Sequence, residues 1–194
     1  DNFPKSNPAG VWTSTYPYHY AHQAAYIKGA FYTNDGKNKI IKITDNGIVS
    51  EWATDQANPG LQYGSCRDDA GNLIVNTSLY PASPETFTVY PIGENGPTTS
   101  GKKTITLTAA IDARTNYISA KGNVLSGTGY IYFFPERKNY VQIATIIDGT
   151  CTSITKHENL SVTSGKDNGG YVIPIDGLTH YIYNERSTDY AGYY

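Results

Sequence analysis

Apolar and polar residues alternate along this chain in short runs, and turn-forming side chains cut the runs every few residues. The clearest passage is Asp68-Asp69-Ala70-Gly71-Asn72-Leu73-Ile74-Val75-Asn76-Thr77, where an acidic, glycine-containing turn leads straight into an apolar strand. A strand-like run over 62–67 precedes it, and two more follow near 86–91 and 103–108. Four strands joined by turns make one sheet-sized unit. Tyr, Thr, Ile and Val favour the pleated, half-buried surface of a sheet. No stretch of ten or more residues keeps a helical period.

The same reading extends to both sides. Residues 23–29 predict a strand carrying Ala25 and Ile27, and 30–34 predict the next. Asp35-Gly36 is a hairpin turn of the Asp-Gly type. A strand over 39–44, a turn at Asp45-Asn46-Gly47, a strand over 48–53 and a loop broken at Asn58-Pro59-Gly60 follow. A third unit opens near Thr115, with strands over 117–120, 129–134, 140–147 and 152–156. Its turns fall at Lys121-Gly122-Asn123 and Asp148-Gly149-Thr150. A fourth opens at Gly169-Gly170 with strands over 171–175 and 180–183 about a turn at Asp176-Gly177, and shows no outer strand. At the other end, 1–10 reads as an extended arm, since its prolines and glycine oppose helix. Val11-Trp12-Thr13-Ser14-Thr15-Tyr16 reads as a spare strand.

The units start near 23, 62, 115 and 170. Four-stranded units repeating every 40–50 residues or so are the mark of a β-propeller. One such sheet cannot cover both of its faces and must stack on neighbours around an axis. The expected fold is all-β and β-propeller-like, with about four four-stranded antiparallel blades in a single domain over 1–194. The N-terminal strand closes the ring, or the chain is a fragment of a larger propeller.

Composition narrows the class. Of 194 residues, 39% are hydrophobic and only 16% charged, and 18 tyrosines supply much of the core material. The net charge of −2 has no lysine or arginine cluster behind it, so nothing marks a nucleic-acid surface. No apolar run reaches the roughly 18 residues of a membrane helix. The chain opens Asp1-Asn2-Phe3-Pro4 without an initiator Met, which predicts a processed or excised piece. Cys66 and Cys151 are too few for a disulfide framework and lack metal-site spacing. They read as two separate buried thiols, with a single long-loop bridge as the alternative. Sequons stand at Asn76 and Asn159.

Ile48-Val49, the loop to Gly60, then Tyr63-Gly64 followed by Asp68-Asp69-Ala70-Gly71-Asn72-Leu73-Ile74-Val75 resembles the D-x-x-G-N-L-x-V blade signature of NHL-like propellers. Tyr90-Pro91-Ile92-Gly93-Glu94-Asn95-Gly96 is similar to the strand and turn that follow it there. The third unit keeps Lys121-Gly122-Asn123-Val124-Leu125 and the fourth only Asp176-Gly177. The resemblance implies a propeller and a setting in secreted or cell-surface bacterial proteins. It implies no catalytic residues, because such propellers host many functions.

Candidate chemistry is sparse. Asp35, Asp45, Asp68, Asp69, Asp148 and Asp176 all fall in turns, where aspartate binds nearby backbone N–H groups. Asp68, Asp69 and Asn72 offer oxygens to a structural calcium ion, though not at EF-hand spacing. No other cofactor is expected, and no catalytic or metal residue is assigned. Serine-hydrolase and phosphate-loop signatures are absent from the sequence. Aromatic and histidine side chains remain: Trp12, Tyr16, Tyr18, His19, Tyr20, His22, Tyr63, Tyr117 and His180 form the expected ligand-binding set. Tyrosine and tryptophan offer flat area with a polar handle, which suits sugars and protein surfaces.

The expected function is a non-catalytic binding or scaffold propeller, extracellular, periplasmic or at the cell surface, recognising a glycan or a protein. One alternative is a polysaccharide hydrolase or lyase built on His19, His22 and His180 with Arg67 or Arg114. Another is a structural segment of a larger surface assembly, joined to a further domain or chain through the strand edge of its last unit.

Overall fold

The computed structural model describes residues 24–34, 39–54, 65–77, 85–111, 115–135, 140–157, 167–175 and 178–186. Among them every regular element is a strand. The first sheet comprises β1 (Ala25–Ile27), β2 (Ala30–Asn34), β3 (Lys39–Thr44) and β4 (Val49–Ala53). The second comprises β5 (Ser65–Arg67), β6 (Leu73–Asn76), β7 (Thr86–Tyr90) and β8 (Lys103–Thr106). The third comprises β9 (Thr115–Gly122), β10 (Thr128–Pro135), β11 (Val141–Ile147) and β12 (Thr150–His157). A hairpin of β13 (Asp167–Ile175) and β14 (Leu178–Arg186) follows. Each four-stranded sheet is an antiparallel meander in chain order. The all-β expectation holds, and the sheets begin at 25, 65 and 115 where 23, 62 and 115 were expected. The sheets do not close into a ring among the described residues.

Turn chemistry sets the hairpins. Lys28 and Gly29 both have positive φ (47° and 75°), as do Asp148 and Gly149 (48° and 76°). Two consecutive left-handed residues make the tight turn whose twist matches the flanking strands. Ile27 therefore pairs directly with Ala30, and Ile147 with Thr150. Thr150 opens β12 instead of belonging to the turn. In the third sheet Gly122 is the last residue of β9, and the connection is longer than the expected Lys121-Gly122-Asn123 turn. The Asp35-Gly36 and Asp176-Gly177 turns lie outside the described residues.

The sheets stack through two apolar layers. Ala25, Ile27, Ala30, Tyr32 and Ile40 of the first sheet pack with Leu73, Val75, Tyr90 and Ile92 of the second. The opposite face of the second sheet, with Cys66, Ile74, Phe87, Val89, Ile105 and Leu107, packs with Ile118, Val124, Ile131, Phe133, Ala144, Ile146 and Cys151 of the third. Period-two alternation sends Leu73 and Val75 one way and Ile74 the other. That explains why all four residues of β6 are buried. Phe87 and Phe133 meet across the second layer with ring centroids 5.4 Å apart. Both cysteines are buried and free, as the two-thiol reading expected.

The first strands of successive sheets lie against one another: β1 against β5, β5 against β9, and β9 against β13. β13 also meets β10.

Candidate functional site

Each sheet has two ends, and the structure assigns them different work. At the end holding the β1–β2, β5–β6, β7–β8, β9–β10 and β11–β12 turns, the three sheets are bonded together. Lys28 Nζ donates to the Ile92 carbonyl at 2.6 Å, and Lys42 Nζ to the Asn95 carbonyl at 3.2 Å. Trp52, which pairs with Ile40 towards the other end of β4, also reaches Gly96, so close that a Cβ there would sit 2.4 Å from its ring. These contacts tie the first sheet to the β7–β8 connection of the second.

The second and third sheets are joined more closely. Asp68 is 1% exposed. Its Oδ1 accepts the Asn72 N–H at 2.8 Å, and its Oδ2 accepts Asn72 Nδ2 at 2.8 Å and the Val124 N–H at 3.0 Å. Asp69 and Gly122 exchange a pair of bonds: the Asp69 N–H donates to the Gly122 carbonyl at 3.0 Å, and the Gly122 N–H to Asp69 Oδ2 at 2.8 Å. Asn72 Nδ2 also reaches Asn123 Oδ1 at 3.4 Å, and Asn123 Oδ1 accepts the Leu125 and Ser126 N–H groups within its own turn. Lys103 Nζ donates to the Leu125 and Asp148 carbonyls at 2.9 and 2.7 Å.

This geometry explains the acidic turn without a ligand. Three N–H donors already converge on the Asp68 carboxylate, which is almost fully buried. The donor set at Asp68 does not fit the calcium ion considered from the sequence. No group of three or more metal-ligating side chains occurs among the described residues. Burial pushes the Cys66 thiol well above its ordinary range, and the negative charge of Asp68 adds to the effect. Cys66 is therefore a protonated core side chain and a poor nucleophile.

The opposite end carries the β2–β3, β6–β7 and β10–β11 connections and those between sheets. Much of the buried polarity outside the acidic turn gathers here: Thr33, Thr54, Ser65, Asn76, Thr77, Glu85 and Gln142 are all buried at strand ends. Asn76 Nδ2 donates to Glu85 Oε2 at 3.5 Å, and the Thr77 and Thr88 hydroxyls lie 3.1 Å apart. Asn76 has no exposed surface, so its sequon is inaccessible in the folded chain. Sequence reading missed this polar layer. Its only signal was Asn76-Thr77 closing an otherwise apolar strand.

Of the expected ligand-binding set, Trp12, Tyr16, Tyr18, His19, Tyr20, His22 and Tyr63 lie outside the described residues, as does Arg114. Tyr117 is the third residue of β9, in the half nearest the loop-bearing end. His180 is the third residue of β14 and pairs with Ile173, towards the hairpin end of its own pair. Arg67 is exposed at the end of β5, paired with Leu73. Among other tyrosines, Tyr132 is core at 5% exposure while Tyr130 and Tyr26 are 36% and 47% exposed. No helix among the described residues is long and apolar enough to cross a membrane. No protein-family model matches this chain, and no curated protein does.

Proposed function

We propose that the chain is a propeller-like, non-catalytic binding or scaffold module that recognises a glycan or protein ligand at the loop-bearing end of its sheets. The observation that carries this reading is the division between the two ends. The turn-bearing end is occupied by bonds between sheets. The other end receives the connections, and protein scaffolds present binding residues on connections held by a rigid framework. The sequence runs from Trp12, Tyr16, Tyr18, His19, Tyr20 and His22 into β1, and from Tyr63 into β5, both of which start at that end.

The propeller reading draws on two features. The first strands follow one another in contact, as blades around an axis would. Ile41 adds a second: its neighbour Ile40 faces the second sheet, so Ile41 points away from it, yet Ile41 is 1% exposed. The outward face of the first sheet is thus not open at Ile41, which suits closure by the strand at 11–16. A setting outside the cell or at its surface follows from the NHL-like resemblance of 63–75 and the low charge.

Two measurements test this. Small-angle scattering should give a compact monomer with a radius of gyration of about 16 Å. A glycan array and pull-down with the whole chain should give a ligand whose binding falls at least tenfold in Tyr63→Ala and Tyr117→Ala, with the circular dichroism unchanged. Binding that survives both changes, or an elongated or self-associating chain, refutes the reading.

A further inference from the structure

We propose that the second and third sheets open and close as one cooperative unit, with the Asp68-Asp69 turn as the interlock, and that the first sheet opens separately and more readily. The proposal stands independently of ligand binding. It rests on an asymmetry between the two junctions. Among the described residues, fourteen buried side chains form the layer between the second and third sheets, and nine form the layer between the first and second. The kind of polar bond differs as well. The first junction uses lysine side chains, whose long flexible stems tolerate displacement. The second junction has a lysine of its own, Lys103, and adds the backbone N–H groups of Asp69, Gly122 and Val124, which are fixed by their turns and have no flexible stem to follow a displacement.

The interlock is specific to one junction. Gly29, Gly71 and Gly122 stand in or beside the first connection of the three sheets, each with φ near 75–80°. Three and two residues before them stand Tyr26 and Ile27, Asp68 and Asp69, and Ser119 and Ala120. Only the second sheet offers carboxylates there. The turn of the third sheet presents the matching N–H groups at Gly122 and Val124. The pairing of these two sheets is therefore written in side-chain chemistry as well as in apolar area, and it gives the fold a rigid two-sheet platform over 65–157.

Native-state hydrogen exchange on the whole chain, followed across low denaturant, tests this. The amides of Asp69, Gly122 and Val124 should exchange in one class with those of Ile74, Val89, Ile131 and Ala144, sharing one denaturant slope. Amides of Tyr32 and Ile41 should exchange at least tenfold faster, with a smaller slope. Two distinct classes for the second and third sheets, or one class for all three, overturns the proposal. The Asp69→Ala variant, changed at an exposed position, should split the second and third sheets into separate classes. An unsplit pattern in that variant denies the turn its interlocking role.

Discussion

The carboxylate of Asp68 on the second sheet accepts a 3.0 Å hydrogen bond from the backbone N–H of Val124 on the third. The same carboxylate holds its own turn through Asn72. One buried side chain thus shapes a turn and joins two sheets. Asp68→Asn keeps the size and replaces one acceptor oxygen with a donor. The new N–H₂ would face the Val124 N–H or the Asn72 amide, leaving a buried donor unsatisfied, at a cost of about 1–3 kcal/mol or more. Urea unfolding at pH 7 should show this as a clear drop in midpoint. Asp69→Asn, at an exposed position, should cost much less. Equal losses in the two variants would contradict the bonding described.

Gly122 and Gly29 share a backbone conformation and differ in surroundings. Both have φ near 75°. A Cβ on Gly29 meets nothing within 4 Å, whereas one on Gly122 would lie 2.4 Å from the Thr128 carbonyl oxygen. Gly29→Ala should cost only the left-handed strain of an L-residue, about 1–2 kcal/mol. Gly122→Ala should lose clearly more, because backbone must move. Thermal melts of the two variants side by side check the order, and a smaller loss at Gly122 would count against this turn geometry.

The strands were legible because short runs rich in Ile, Val, Thr and Tyr end at recognisable breakers, with period two clear at Ala25 and Ile27 and absent from the apolar run Leu73-Ile74-Val75. β2 and β3 fall at 30–34 and 39–44, the bounds the pattern predicts. The Asp148-Gly149 turn was visible for the same reason, since two adjacent left-handed residues favour that dipeptide. Lys28-Gly29 makes the same kind of turn with a less telling first residue, and the sequence marked only the break after Gly29. What single-sequence reading could not supply was contact across sheets. Asp68 looked like any turn aspartate, because its partner Val124 is 56 residues away. The loop-end layer of Asn76, Glu85 and Gln142 was hidden likewise: nothing local distinguishes a buried polar side chain from an exposed one. Residue type alone marks the aromatic set, and topology places Tyr117 and His180 on different strands of different sheets.

Cys66 gives a pH-dependent prediction. Burial raises its thiol pKa in the folded chain, and the Asp68 charge raises it further. The unfolded thiol ionises near its ordinary value of about 8.5. Below that pH both states hold the proton, and the stabilising contribution is complete. As pH rises above it the unfolded state alone loses the proton, and stability falls by up to about 1.4 kcal/mol per pH unit. The stability lost in Cys66→Ala at pH 7 should therefore shrink between pH 8 and pH 10. Denaturant titrations of both proteins across that range decide the matter; a constant difference would mean the thiol already ionises in the folded chain. Alkylation at pH 8 should likewise spare Cys66 until denaturant is added.

The two apolar layers should respond separately to changes in neighbouring residues of β6. Leu73 faces the first sheet and Ile74 the third, and both are fully buried. Either truncation to alanine removes several buried carbons and leaves a cavity, so each should cost about 2–5 kcal/mol. The location of the damage should differ. Leu73→Ala should loosen the layer containing Tyr32 and Ile40, and Ile74→Ala the layer containing Phe87 and Phe133. Methyl and aromatic NMR shifts would report this directly. Leu73→Ala should move the Tyr32 ring signals and leave Phe133 near its original position, with the reverse for Ile74→Ala. Shifts spread evenly over both layers in either variant would show that the second sheet does not separate two cores.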